Sequence, residues 1–115
     1  MSRSLDFNAI EQPTLDVTMR DEKRTVLHLS VPSVDFVEKL QALEPVLAKM
    51  KKGNNAAESV KQVYSFFAKI FSHNEDGIEV TAEDLRDKYR LNFLHLLQLY
   101  AEYKGFIDDI KNAKN

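Results

Sequence analysis

Apolar and polar positions along the chain form two short alternating stretches followed by three longer periodic ones. From Thr14 to Met19, Leu15, Val17 and Met19 alternate with Thr14, Asp16 and Thr18, the period-2 pattern of a half-buried strand. Thr25 to Ser30, TVLHLS, alternates again. The charged run Arg20–Arg24 between them reads as a turn, so a β-hairpin is predicted over about 14–19 and 25–30. That turn contains no Gly and no Asn-Gly pair, the usual sources of positive φ in tight hairpins.

Pro32-Ser33 closes the second strand and opens a helix, with Ser33 as N-cap. Val34, Val37, Leu40, Leu43, Leu47 and Met50 then recur at intervals of three and four, which predicts a helix over about 34–52. Pro45 lies inside it and lacks a backbone donor, so a kink or division near Leu43 is expected. Lys49, Lys51 and Lys52 suit a helix C-terminus, and Gly53 suits a stop. Asn55 and Glu58 have the spacing of a capping box. Val60, Val63, Tyr64, Phe67, Ile70 and Phe71 carry a second helix over about 56–72. Ser72–Gly77 reads as a polar loop and Ile78–Val80 as a short extended piece. Thr81, with acids in the following turn, caps a third helix. Leu85, Tyr89, Phe93, Leu96, Leu97, Tyr100, Tyr103, Ile107 and Ile110 keep its period over about 81–111. The predicted fold class is therefore α+β, mostly α, with an N-terminal β-hairpin and three helices. Residues 1–13, ending on Pro13, read as an arm, and 14–115 as a single globular helical domain carrying the hairpin.

Charge and composition narrow the function. The chain has 115 residues, 16 basic and 18 acidic, for a net charge of −2. Residues 1–33 carry four basic and five acidic groups, 34–53 four and three, 54–80 two and four, and 81–115 six and six. No segment offers the basic excess that phosphate binding needs, so no nucleic-acid partner is expected. The absence of cysteine excludes disulfides, thiolate metal sites and thiol nucleophiles, and fits a cytoplasmic setting. No signal-peptide core is read in MSRSLDFNAIEQPTL, and no apolar run is long enough to span a bilayer, so no membrane partner is expected.

Candidate chemistry is sparse. His28, His73 and His95 sit on different predicted elements, and no pair has the i, i+4 spacing of a helical metal site. Within SHNEDGIEVTAE, Asn74, Asp76, Gly77 and Glu83 match positions three, five, six and twelve of a calcium-binding loop. Ser72 stands where the first aspartate belongs, however, and Glu79 stands where an apolar residue pairs two loops. Asp108 and Asp109 are neighbours on a helix and face different directions, which makes a poor acid–base couple. With three glycines in all, no phosphate loop or nucleophile elbow is present. No catalytic residue, metal site or cofactor is expected, and the chain is not expected to be an enzyme.

The third helix carries more apolar surface than one core face requires. Leu91, Leu94, Leu99 and Phe106 widen its stripe, as in a helix that is central or buried against a partner. Tyr is favoured where one end of a side chain is dry and the other wet. Leu94, Leu99, Tyr100, Tyr103 and Phe106 are therefore the candidate protein-binding residues.

The opening DFNAIEQPTLDVTMRD, the strand TVLHLS, the helix VDFVEKL, the junction FFAKIFSHNEDGIEVTAEDL and the ending LHLLQLYAEYKGFIDDIKNAKN cover nearly the whole chain. Together they resemble the short tail assembly chaperones of long-tailed phages and prophages, especially those of Gram-positive hosts. The resemblance implies a non-enzymatic protein of the host-cell cytoplasm, absent from the mature virion. It would cover the hydrophobic helices of the tape-measure protein before tail-tube protein polymerises around them. It also implies self-association and a frameshifted longer form. Ala113-Lys114-Asn115 can be encoded GCA-AAA-AAC, which contains the slippery heptamer A-AAA-AAC; an AAG codon at Lys114 would remove it. Two other readings remain at this point: a phage regulatory or adaptor module binding another protein, and a calcium-responsive binder using Ser72–Glu83.

Overall fold

A computed structural model describes residues 12–53 and 57–112, together with Arg3 and Leu5. Most of the predicted arm, Asn55 of the proposed capping box and the Ala113–Asn115 end lie outside the described residues. The order of elements is β1 (Leu15–Thr18), β2 (Val26–Leu29), α1 (Val34–Lys51), α2 (Ala57–Ser72), a π-helical turn (Asp84–Lys88) and α3 (Phe93–Asn112). The α+β, mostly helical class with an N-terminal hairpin is thus observed.

β1 and β2 pair antiparallel, with Leu15 opposite Leu29, Asp16 opposite His28, Val17 opposite Leu27 and Thr18 opposite Val26. The glycine-free turn is closed by Asp21, whose carboxylate accepts from the Thr25 amide and hydroxyl. Arg24 supplies the left-handed conformation, at φ 49°. On its other side β2 meets the segment after α2. Ser30 N donates to His73 O at 2.9 Å and Glu75 N to His28 O at 2.9 Å, so β2 is the inner strand and β1 the edge.

α1 begins where its cap was expected, Ser33 Oγ accepting from Phe36 N at 3.2 Å, and stops at Gly53, which has φ 90°. Pro45 does not divide it: the helix runs unbroken from Val34 to Lys51. Pro45 is exposed, so the Gln41 carbonyl deprived of its helical donor can be served by water. The buried row Leu40, Leu43, Leu47 and Met50 holds both halves to the core.

The predicted third helix is two pieces. Thr81 and Asp84 cap each other reciprocally, Asp84 N to Thr81 Oγ1 at 3.1 Å and Thr81 N to Asp84 Oδ2 at 3.1 Å. The turn then widens, Tyr89 N reaching Asp84 O at 2.8 Å, and the chain reverses through Arg90 at φ 51°. α3 restarts on a second reciprocal cap. His95 N donates to Asn92 Oδ1 at 3.1 Å, and Asn92 N donates to His95 Nδ1 at 2.9 Å, with His in the place usually held by Glu. Carbonyls freed by the break find distant donors, Arg20 on Arg90 O at 2.7 Å and Tyr64 on Leu91 O at 2.8 Å. The break escapes a periodicity argument because Tyr89 to Phe93 is itself a four-residue step.

Every element contributes to one contiguous core: Met19, Leu27 and Leu29 from the hairpin, Leu43 and Leu47 from α1, Val63, Phe67 and Ile70 from α2, Leu85 and Tyr89 from the turn, and Leu96, Leu99, Tyr103 and Ile107 from α3. Among the described residues no charged side chain is buried, and no helix is long and apolar enough to cross a membrane.

Candidate protein-binding surfaces

α3 presents three rows of side chains. Leu96, Leu99, Tyr103 and Ile107 point into the core. Leu97 and Tyr100 turn toward α1, and His95, Gln98 and Glu102 toward β1. Spacings of three and four within each row are what a helix requires of residues sharing a face. The inner row is covered, while each outer row borders an open groove.

The α1–α3 groove has a volume of ≈ 450 Å³ and is lined by Gln41, Glu44, Pro45, Leu47, Ala48, Lys51, Leu97 and Tyr100. Its floor is aliphatic and aromatic. At one end Lys104 Nζ meets Glu44 Oε1 at 2.8 Å and lies 5.6 Å from the centre of the Tyr100 ring. The hydrogen bond holds the Glu44 carboxyl below its ordinary pKa and the Lys104 ammonium above its own. Both groups are solvated, so the pair adds little stability. Leu94, 69% exposed, stands one turn before Leu97 and extends the apolar row beyond the groove.

The β1–α3 groove has a volume of ≈ 380 Å³. Leu15, Val17, Met19 and the strand edge form one wall, Phe71 and Leu99 contribute apolar surface, and Leu91, His95, Gln98 and Glu102 form the other wall.

The five residues singled out in the sequence do not form one patch. Leu94 is exposed and Tyr100 half-buried on the α1 side. Leu99, 7% exposed, and Tyr103, 0% exposed, belong to the core. Phe106 is half-buried with its ring centre 6.4 Å from that of Tyr103. The wet end assumed for Tyr103 is dry: its hydroxyl has no hydrogen-bond partner among the described residues, and burial pushes its pKa up to about 12. Leu97, counted as part of the stripe, is the groove residue that reasoning from tyrosine missed. The β1 wall was missed as well, although two four-residue strands in a chain of this length leave at least one open edge.

The loop that matched calcium-binding spacing uses its oxygens otherwise. Ser72 Oγ donates to Val80 O and accepts from Val80 N, both at 2.8 Å. Asn74 Oδ1 accepts from Asp76 N and Ile78 N, and its amide donates to Phe71 O and Ile78 O. Asp76 accepts from His28 N at 2.8 Å and contacts His28 Nδ1 at 3.0 Å. These bonds raise the His28 pKa and lower that of Asp76. The segment is a splint that ties the end of α2 to β2. Among the described residues no group of three or more His, Asp or Glu side chains is placed to hold a metal ion.

No family model, curated protein or solved structure matches the chain.

Proposed function

We propose that this chain is a tail assembly chaperone of a long-tailed phage or prophage, which shields helices of the tape-measure protein by seating them in the α1–α3 groove. The observation that carries the reading is that groove, in which Leu47, Ala48, Leu97 and Tyr100 supply apolar surface between α1 and α3. An amphipathic or apolar helix anchors in such a channel by residues spaced three, four and seven apart. Exposed Leu94 lengthens the contact by a turn. The sequence resemblance supplies the partner, since long apolar tape-measure helices aggregate unless covered. The reading needs no reacting group. Shielding has to be reversible, because tube subunits later take the chaperone's place, and modest affinity repeated over many copies meets that need.

Co-expression with the tape-measure protein of the same tail-gene cluster tests it. The tape-measure protein should become soluble and co-purify with the chain. A tape-measure protein that stays insoluble, or is equally soluble alone, contradicts the reading.

A further inference from the structure

Leu15 and Val17 lie on the same face of the hairpin as their partners Leu29 and Leu27. The β2 residues are fully buried, whereas the β1 residues are only half covered. The main chain shows the same asymmetry. Met19 N donates to Thr25 O at 2.8 Å, so in the alternation of an antiparallel ladder Val17 and Leu15 also exchange bonds with β2, and Asp16 and Thr18 point their amides and carbonyls outward. His28, opposite Asp16, has the matching parity on β2: its amide and carbonyl are taken by Asp76 and Glu75. Among the described residues, the outward groups of Asp16 and Thr18 have no hydrogen-bond partner. An apolar row half uncovered, beside a groove and a free strand edge, is the arrangement that accepts an added strand.

The sequence of the edge favours a copy of itself. We propose that β1 pairs antiparallel with β1 of a second copy of this chain, about a two-fold axis at Val17, to form a four-stranded sheet. In this register Asp16 exchanges both main-chain bonds with Thr18 of the other copy, and Thr18 with its Asp16. On the solvent face each carboxylate lies opposite a hydroxyl donor. On the groove face Val17 meets Val17, and Leu15 meets Met19. Centring the pair on Asp16 instead sets two carboxylates directly opposite each other, which is destabilising. Centring it on Thr18 requires Arg20, which lies past the strand and is engaged with the Arg90 carbonyl. The interface is isologous, as a closed dimer requires. Both α3 helices lie on the same side of the joined sheet, so the β1–α3 groove is walled off in the pair. The α1–α3 groove lies on the other flank of α3 and is left open, and the joint does not depend on what occupies it.

Sedimentation of the full-length chain over a range of concentrations, with three single variants, tests the joint. The wild type should show a monomer–dimer equilibrium. Val17→Cys should oxidise to a covalent dimer, because facing residues of a non-hydrogen-bonded pair lie about 4.5 Å apart at Cα, within reach of a disulfide. The chain has no other cysteine to confuse the result. Val26→Cys, 40% exposed on the inner strand, should not cross-link. Thr18→Pro removes an outward donor while leaving the β2 ladder intact, and should weaken dimerisation by roughly tenfold with an unchanged circular dichroism spectrum. A chain that stays monomeric with no Val17→Cys cross-link overturns the proposal. So does a Thr18→Pro variant as dimeric as the wild type. Dimerisation that appears only after deletion of residues 1–11 also overturns it, by showing that the chain's own arm holds the edge.

Discussion

The two grooves that flank α3 differ in what their walls offer. On the α1 side both walls are helices, whose main-chain groups are satisfied internally apart from the Gln41 carbonyl freed by Pro45, so a partner meets mainly side chains. On the β1 side one wall is a strand edge, which offers amides and carbonyls at fixed spacing as well as an apolar row. The first suits a helix recognised by the shape and apolarity of its face. The second suits a strand, whose register is set by main-chain bonding and whose identity is set by alternate side chains. Under the two proposals, one small domain holds two unlike partners on opposite sides of one helix. Between the two grooves runs the inner row of α3, which packs into the core and seats both outer rows.

That inner row gives the largest expected effect. Leu96 is fully buried between the two outer rows, and Leu96→Ala should cost about 2–5 kcal/mol in a denaturant titration, as truncations in close-packed cores do. Both binding activities should weaken together. Loss of one with the other intact would break the idea that the inner row seats both outer rows. A smaller effect is expected at the restart of α3. Asn92→Ala removes half of the reciprocal cap with His95 and should cost about 1 kcal/mol. Hydrogen exchange should rise in the first turn of α3, next to Leu94 and His95, more than in α1. A uniform rise would show that the cap does not set the local order of the groove walls.

These two positions also show what was legible in the sequence. Leu96 followed from periodicity alone, as did most of the core, because burial on a helix repeats at three and four. Ser33, Gly53 and Thr81 were legible because capping chemistry is local. The break at Tyr89–Asn92 was not, since it preserves the four-residue step, and its freed carbonyls are satisfied by Arg20 and Tyr64 from remote parts of the chain. For the same reason the five candidate residues are split between core and surface rather than gathered in one patch. Periodicity tells that α3 is apolar on several sides, but which side is covered depends on where the hairpin and α1 lie. That is why Tyr103 went to the core and Leu97 to the groove.

The smallest effect concerns the splint behind β2. His28 is raised above its ordinary pKa of 6.5, chiefly by its hydrogen bond to Asp76, and Asp76 is lowered below 3.8, chiefly by the His28 amide. The protonated His28 is favoured by folding, so its contribution is complete below pH 6.5 and is lost as pH rises through the raised value. The Asp76 contribution is present above pH 3.8 and is lost as pH falls through the lowered value. The splint is therefore tightest between the two. In Asp76→Asn, an NMR titration should move the His28 pKa down toward 6.5, with little change in either binding activity. An unmoved pKa would show that Asp16, 3.9 Å away, governs His28 instead.

The central claim is that the helical groove and the strand edge are separate surfaces with separate occupants. The direct measurement is binding of a single-helix segment of the tape-measure protein to the wild type, Leu97→Glu and Thr18→Pro, with sedimentation of the same samples. Leu97→Glu sets a charge on the apolar floor and should weaken segment binding by roughly tenfold or more while leaving the monomer–dimer equilibrium unchanged. Thr18→Pro should do the reverse. If either variant loses both activities while remaining folded, or if Leu97→Glu binds the segment as the wild type does, the division between the two surfaces is contradicted.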